Sequence, residues 1–123
     1  MSWTTDVRDF HRKIKYPENS FPSLHEPGNT SIQDRIDHMY EELNEYREAL
    51  DANELPNAID AMVDLIYLAL GTIRMHGVDV GPCWDEVHRA NMKKLPGKNW
   101  KNTIKPPGWK APDLEKVIYH DRI

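Results

Sequence analysis

The chain has 123 residues, 39% hydrophobic and 29% charged, which supports one hydrophobic core but supplies little material for it, so a second copy is expected to complete the burial. Its net charge of -4 conceals ten acids against two bases between Asp34 and Asp64, and seven bases with no acid between Arg89 and Ala111. The longest apolar run, Leu65 to Leu70, excludes a membrane span; the N-terminus reads as no secretory signal, and the single Cys83 excludes an internal disulfide or a cysteine-based zinc site, so a cytoplasmic protein is expected.

Val7, Phe10 and Ile14 stand at helical spacing and predict a short helix over Trp3 to Ile14. Pro17, Pro22, Pro27 and Gly28 make Lys15 to Asn29 a loop. Thr30 and Gln33 have the pattern of a capping box opening the first long helix, along which Ile32, Ile36, Met39, Tyr40, Leu43 and Leu50 form one stripe expected to face the core. A second helix is bounded by Pro56 in its first turn and by Gly77 after His76. A third is predicted from Pro82, carrying Trp84, Val87, His88 and Met92 and stopping before Pro96-Gly97. Lys98 to Pro112 reads as an extended basic arm, and Asp113 to Tyr119 as a short closing helix. Nothing alternates with period two for long, so the predicted class is all-α, with one domain over 1–123, its core at about 30–95 and an irregular arm over 96–123.

From Ala58 to Leu70 all residues but two are apolar, so the second helix is expected to be buried almost all round; the two exceptions, Asp60 and Asp64, share one stripe. No base lies in that run. Three outcomes are open for them: a solvated stripe, ion pairs with Arg35, Arg47 or Arg74, or a bound cation. On the first helix Glu41, Glu42 and Glu45 form Glu-Glu-x-x-Glu at about 180° to 280° from Ile32, away from an apolar stripe centred near 15°. Alone they are an ordinary solvated face, but beside Asp60 and Asp64 on an antiparallel neighbour they become a carboxylate cluster suited to Mg²⁺ or Mn²⁺. His38 could reach across from the same helix, but a lone histidine is more often structural. Asn91, Lys94, Lys98, Lys101 and Lys105 are candidates to hold phosphates, and Trp100 and Trp109, lying between those lysines, candidates to stack on a base.

Glu41-Glu42-Leu43-Asn44-Glu45, Asp60-Ala61-Met62-Val63-Asp64 with the apolar stretch after it, and Val87-His88-Arg89-Ala90-Asn91-Met92-Lys93-Lys94-Leu95 together resemble the all-α nucleoside triphosphate pyrophosphohydrolases, the superfamily of MazG, the dimeric dUTPases and phosphoribosyl-ATP pyrophosphohydrolase. The resemblance implies a MazG-like helical bundle completed by homodimer or homotetramer formation. It also implies a Mg²⁺ site on Glu42, Glu45 and Asp64, with Glu41 and Asp60 as further ligands or bases, and phosphate contacts from Asn91 and Lys94. The family's second motif is usually Glu-x-x-Asp; here Ala61 and Asn57 hold the two possible Glu positions, which leaves the number of metals open.

The expected activity is Mg²⁺-dependent hydrolysis of a (d)NTP to the monophosphate and pyrophosphate, with Glu41 and Glu42 catalytic and Mn²⁺ able to substitute. Phosphoribosyl-ATP is the alternative substrate, and a non-catalytic nucleotide- or DNA-binding module the alternative of another class. Phe10, His11, Trp84, Trp100 and Trp109 are the candidates for base contacts, and nucleic acid is not expected as a partner.

Overall fold

A computed structural model of the chain describes residues 2–119; Met1 and residues 120–123, included in the predicted domain, lie outside them. Five helices form among the described residues, and one antiparallel backbone pair, Leu95 with Ile104, is the sole β contact. The all-α class is therefore observed. No described helix is long and apolar enough to cross a membrane. The chain gathers into two compact units, one reaching to Val78 and one from Asp79 onward.

The first unit holds α1 (Trp3–Lys13), α2 (Ile32–Asp51) and α3 (Leu55–Met75). A capping box starts α1: the Thr5 N–H donates to Ser2 Oγ, and the Ser2 N–H to Thr5 Oγ1. Helix α2 is capped one residue later than predicted. Ser31 Oγ accepts from the Asp34 N–H at 3.1 Å, while the Thr30 hydroxyl turns back to the Pro27 carbonyl and Gln33 bonds Asp37. Helices α2 and α3 form an antiparallel hairpin through a three-residue turn, in which Asn53 adopts φ +56°. At the far end Gly77, at φ +76°, lets the chain leave α3 beneath the Phe21 and Asn19 carbonyls, where a side chain would not fit.

The inward faces differ from those the apolar pattern predicts. On α2 the stripe Arg35, Met39, Glu42, Tyr46 and Ala49 is buried or half-buried, whereas Tyr40 and Leu43 remain 63% and 45% exposed. On α3 the inward stripe is Ala61, Asp64, Leu68, Gly71 and Met75, and Leu55, Ile59, Val63 and Ile66 stay exposed. The expectation that α3 is buried almost all round therefore does not hold for the single chain: one stripe, with the small residues Ala61 and Gly71 in it, turns inward. Small residues let the two backbones approach closely, and the polar stripe of α2 lies in the seam. Leu55, Ile59, Val63 and Ile66 are left outward, while Leu68 and Met75 turn in.

The second unit holds α4 (Val80–Met92) and α5 (Leu114–Tyr119). Helix α4 starts two residues before the predicted Pro82 because Asp79 caps it, its side chain accepting from the Gly81 N–H. Pro82 then falls in the first turn, where a missing N–H costs nothing. The segment expected to run as an extended arm folds back instead. Leu95 and Ile104 exchange backbone hydrogen bonds, and the Trp109 indole N–H donates to the Ala90 carbonyl at 2.8 Å. Glu86 ties the end of this segment to α4, pairing with Arg89 and accepting from the Asp113 N–H; these hydrogen bonds hold its carboxyl down at about 2.

Candidate active site

Within the first unit, α2 and α3 bring acidic side chains of both helices together near the middle of the hairpin. Glu42 is only 6% exposed, and its Oε2 has no hydrogen-bond partner. Its Oε1 lies 3.6 Å from His38 Nε2, one turn earlier on the same helix. Burial, then the adjacent Glu45 carboxylate and the charges of Asp64 and Asp60, push Glu42 up to about 7. Glu41, Glu45 and Asp60 are exposed and Asp64 half-buried. Among the described residues no ion pair involves Asp60 or Asp64, and no three acidic, histidine or cysteine side chains close on one point. The cluster is thus a field of negative charge around one buried carboxylate.

Of the three arginines that were open as partners for the aspartates, Arg74 and Arg35 are engaged elsewhere, and Arg47 is exposed and pairs with neither aspartate. Arg74 grips Glu18 with two hydrogen bonds, at 2.8 and 3.1 Å. Arg35 donates from Nε to the Tyr16 hydroxyl, from Nη1 to the Leu68 carbonyl and from Nη2 to His11 Nε2, and lies over the Tyr16 ring. Because a guanidinium only donates, His11 Nε2 is the acceptor and its Nδ1–H is left for Glu18 Oε2, at 2.9 Å. His11 is therefore neutral and buried, a structural link that also lines the pocket beside the network. Backbone bonds from Asn19 and Ser23 to the last carbonyls of α3 complete the attachment of the N-terminal segment.

This attachment is sensitive to acid. Burial pushes His11 below its ordinary 6.5, outweighing the Glu18 hydrogen bond that raises it. Glu18 is held below its ordinary 4.5 by the Arg74 and His11 hydrogen bonds, although burial works the other way. A lowered value in the fold means stability present above the unfolded value and lost as pH falls. The His11 contribution therefore declines below 6.5 and that of Glu18 below 4.5. Amide exchange in α1 should accelerate, beyond its intrinsic pH dependence, between pH 7 and pH 4; unchanged protection would contradict this assignment of the network.

Beside the network opens a pocket of about 320 Å³, at the lower end of small-ligand sites. Phe10, Ile14, Tyr67 and Leu68 give it apolar walls, with Phe10 and Tyr67 edge to face at 5.7 Å; Asn29, Ser31, Asp34 and His38 give it polar ones. His38 belongs both to this pocket and to the Glu42 contact, so the cavity and the acidic cluster adjoin. Sequence reasoning missed Tyr67 and weighed His38 as able to reach the carboxylates but more often structural. The Asp34, His38 and Glu42 spacing on one side of α2 was the available signal.

The remaining candidates lie in the second unit. Trp84 is exposed on α4. Asn91 and Lys94 follow at its end, and with Lys101 and Trp100 they border a groove of about 580 Å³. Trp109 packs onto α4 with Lys94 and Lys105 over its ring, at 5.5 and 5.1 Å from the centroid, and Lys98 is exposed.

A family model for phosphoribosyl-ATP pyrophosphohydrolase matches residues 7–91, well over half of the chain. The chain belongs to that family. It is therefore a member of the MazG-like all-α pyrophosphohydrolase superfamily, a nucleotide pyrophosphohydrolase acting on phosphoric anhydride bonds. The matched residues include the whole carboxylate cluster and the pocket, and end at Asn91. No curated protein matches the chain with significance.

Proposed function

We propose that this pyrophosphohydrolase cleaves a nucleoside triphosphate, with a deoxynucleotide as the first choice, to the monophosphate and pyrophosphate, using Mg²⁺ or, in its place, Mn²⁺. The observation that carries this is Glu42 Oε2, a buried carboxylate oxygen with no partner among neighbours that are themselves acidic. Such an oxygen is costly to bury unless a cation meets it. The donor set fits a hard divalent ion: Glu42, Glu45 and Asp64, with Asp60 beside them, are all oxygen ligands without a sulfur among them. When bound, the ion would polarise the phosphoryl oxygens and offset charge on the leaving group.

The chain's own residues supply the rest. Glu41, exposed next to Glu42, accepts the proton of the attacking water. The water oxygen bonds to the α-phosphorus in line, the bond to the bridging oxygen breaks, and pyrophosphate leaves. Phe10 and Tyr67 receive the base, with Asn29, Ser31 and Asp34 around the sugar. Asn91 and Lys94 are the phosphate contacts that the family resemblance implies. A second copy covers the exposed apolar stripes of α2 and α3, giving a homodimer or a dimer of dimers, and the reaction belongs in the cytoplasm.

The matched family's own name favours a second reading, phosphoribosyl-ATP as substrate, which has the same type of scissile anhydride. Pyrophosphate release measured across the standard and modified (d)NTPs and phosphoribosyl-ATP separates the two. Release from at least one (d)NTP, abolished by EDTA and restored by Mg²⁺, is expected. Cleavage of phosphoribosyl-ATP alone moves the substrate to the second reading, and full activity in EDTA removes the cation.

A further inference from the structure

Beyond the family match the chain changes character. From Lys93 to Lys110 it carries six lysines and no acid. The sequence up to Val78 holds 14 acids against 7 bases, and the sequence from Asp79 onward 6 acids against 9 bases. The net negative charge that argues against a nucleic-acid partner therefore belongs to the first unit, and the second is basic.

At the centre of the basic stretch is a built hairpin. The Leu95 and Ile104 backbones exchange hydrogen bonds of 2.8 and 2.9 Å. Inside it, Asn99 Oδ1 accepts from the Lys101 N–H, the Asn102 N–H and the Asn102 side-chain amide, at 3.0 to 3.1 Å. Gly97 lies against the Asn102 carbonyl where no side chain would fit. These restraints hold the loop without help from Trp100, which is 93% exposed with the exposed Lys98 and Lys101 on either side of it. Trp109 shows the contrast: its N–H is bonded and its ring covered, so it serves the fold. An indole held in water by a rigid turn gives up its burial, and nothing in the hairpin needs it there.

We propose that the 95–104 hairpin binds single-stranded nucleic acid, with Trp100 stacking on an unpaired base and Lys98 and Lys101 neutralising the phosphates on either side. Trp100 borders the groove that also holds Asn91 and Lys94, but a free nucleotide needs a site that buries most of its surface, and the groove leaves this ring 93% exposed. A strand supplies a run of bases and phosphates, and six lysines provide more charge than one triphosphate requires. A duplex keeps its base faces stacked within the helix and gives the indole nothing to stack on.

The test is fluorescence anisotropy of the full chain with a labelled oligothymidylate of about 12 nucleotides in EDTA, within the span such sites cover. Trp100→Ala should weaken binding about tenfold or more. Lys98→Gln with Lys101→Gln should flatten the slope of log K against log salt by about 1.4, the release expected from two phosphate contacts on a single strand. Equal affinity for a duplex of the same length, unchanged affinity in Trp100→Ala, or displacement of the strand by an equimolar amount of ATP would each overturn the proposal. So would binding to anionic lipid vesicles without binding to the strand. The difference in emission between wild type and Trp100→Phe should also be that of a water-exposed indole. Emission of a buried one in the unliganded protein would mean that a second copy covers Trp100, and the proposal fails.

Discussion

Glu42→Gln is expected to abolish turnover and, at the same time, to make the cation-free protein more stable. Glu42 carries the orphaned buried oxygen of the acidic cluster, and removing its charge removes the proposed central ligand, so pyrophosphate release should fall by roughly 10³-fold. In the absence of a cation the same charge works against the fold. With its carboxyl pushed up to about 7 from the ordinary 4.5, the folded chain holds a proton there that the unfolded chain has released. That contribution is complete below 4.5 and is lost as pH rises through about 7, so wild-type stability in EDTA should decline over that range. A glutamine of the same shape carries no charge at any pH, so the variant should escape that decline and unfold several degrees higher at pH 8. Thermal unfolding in EDTA at pH 5 and pH 8, alongside turnover with Mg²⁺, measures both halves. A variant that turns over at the wild-type rate, or that melts below wild type at pH 8, contradicts the placement of the site on Glu42.

Gly71→Ala should unsettle the N-terminal segment out of proportion to the one methyl it adds. A Cβ at Gly71 would sit 2.8 Å from Arg35 Nη1 and 2.8 Å from His11 Nε2. Long side chains ordinarily yield to such a contact, but this guanidinium is held by Tyr16, Leu68 and His11, and the imidazole by Glu18. Relieving the clash means breaking part of the network, with a loss of about 1–3 kcal/mol of the kind overpacking produces. Gly81→Ala is the control: it lies in the first turn of α4, where its Cβ would meet only Asp79 Oδ1 at 3.5 Å. Denaturant unfolding should show the first variant weakened and the second near wild type. Equal midpoints would mean that the pinned arginine moves freely.

The elements themselves were legible from local signals. Pro56 and Gly77 bracket α3 closely, and Pro96-Gly97 mark where α4 has already ended. The caps shifted where two residues competed: Ser31 took the position that the Thr30 and Gln33 pattern suggested, and Asp79 drew α4 back across Gly81. The acidic cluster was legible too, because two aspartates in an apolar run and a Glu-Glu-x-x-Glu segment are a charge problem that one stretch of sequence already poses. The pocket was not. Phe10, His38 and Tyr67 come from three helices, and no spacing along the chain joins them.

Which face of α2 turns inward could not be read from hydrophobicity. Ile36, Tyr40, Leu43 and Leu50 make the better apolar stripe, yet in the single chain Arg35, Glu42 and Ala49 lie against α3. The amino-acid pattern by itself determined the helices, their ends, the carboxylate-rich pair and the split between an acidic and a basic half. All of these follow from propensity, capping and charge within a few residues. Only the tertiary structure decided that Glu42 is the carboxylate taken out of water, that Arg35 is withheld from the acids by His11 and Tyr16, and that Trp100 rather than Trp109 is left open. Small residues such as Ala61 and Gly71 let α3 close over a polar stripe, and the energy of that approach depends on both helices at once.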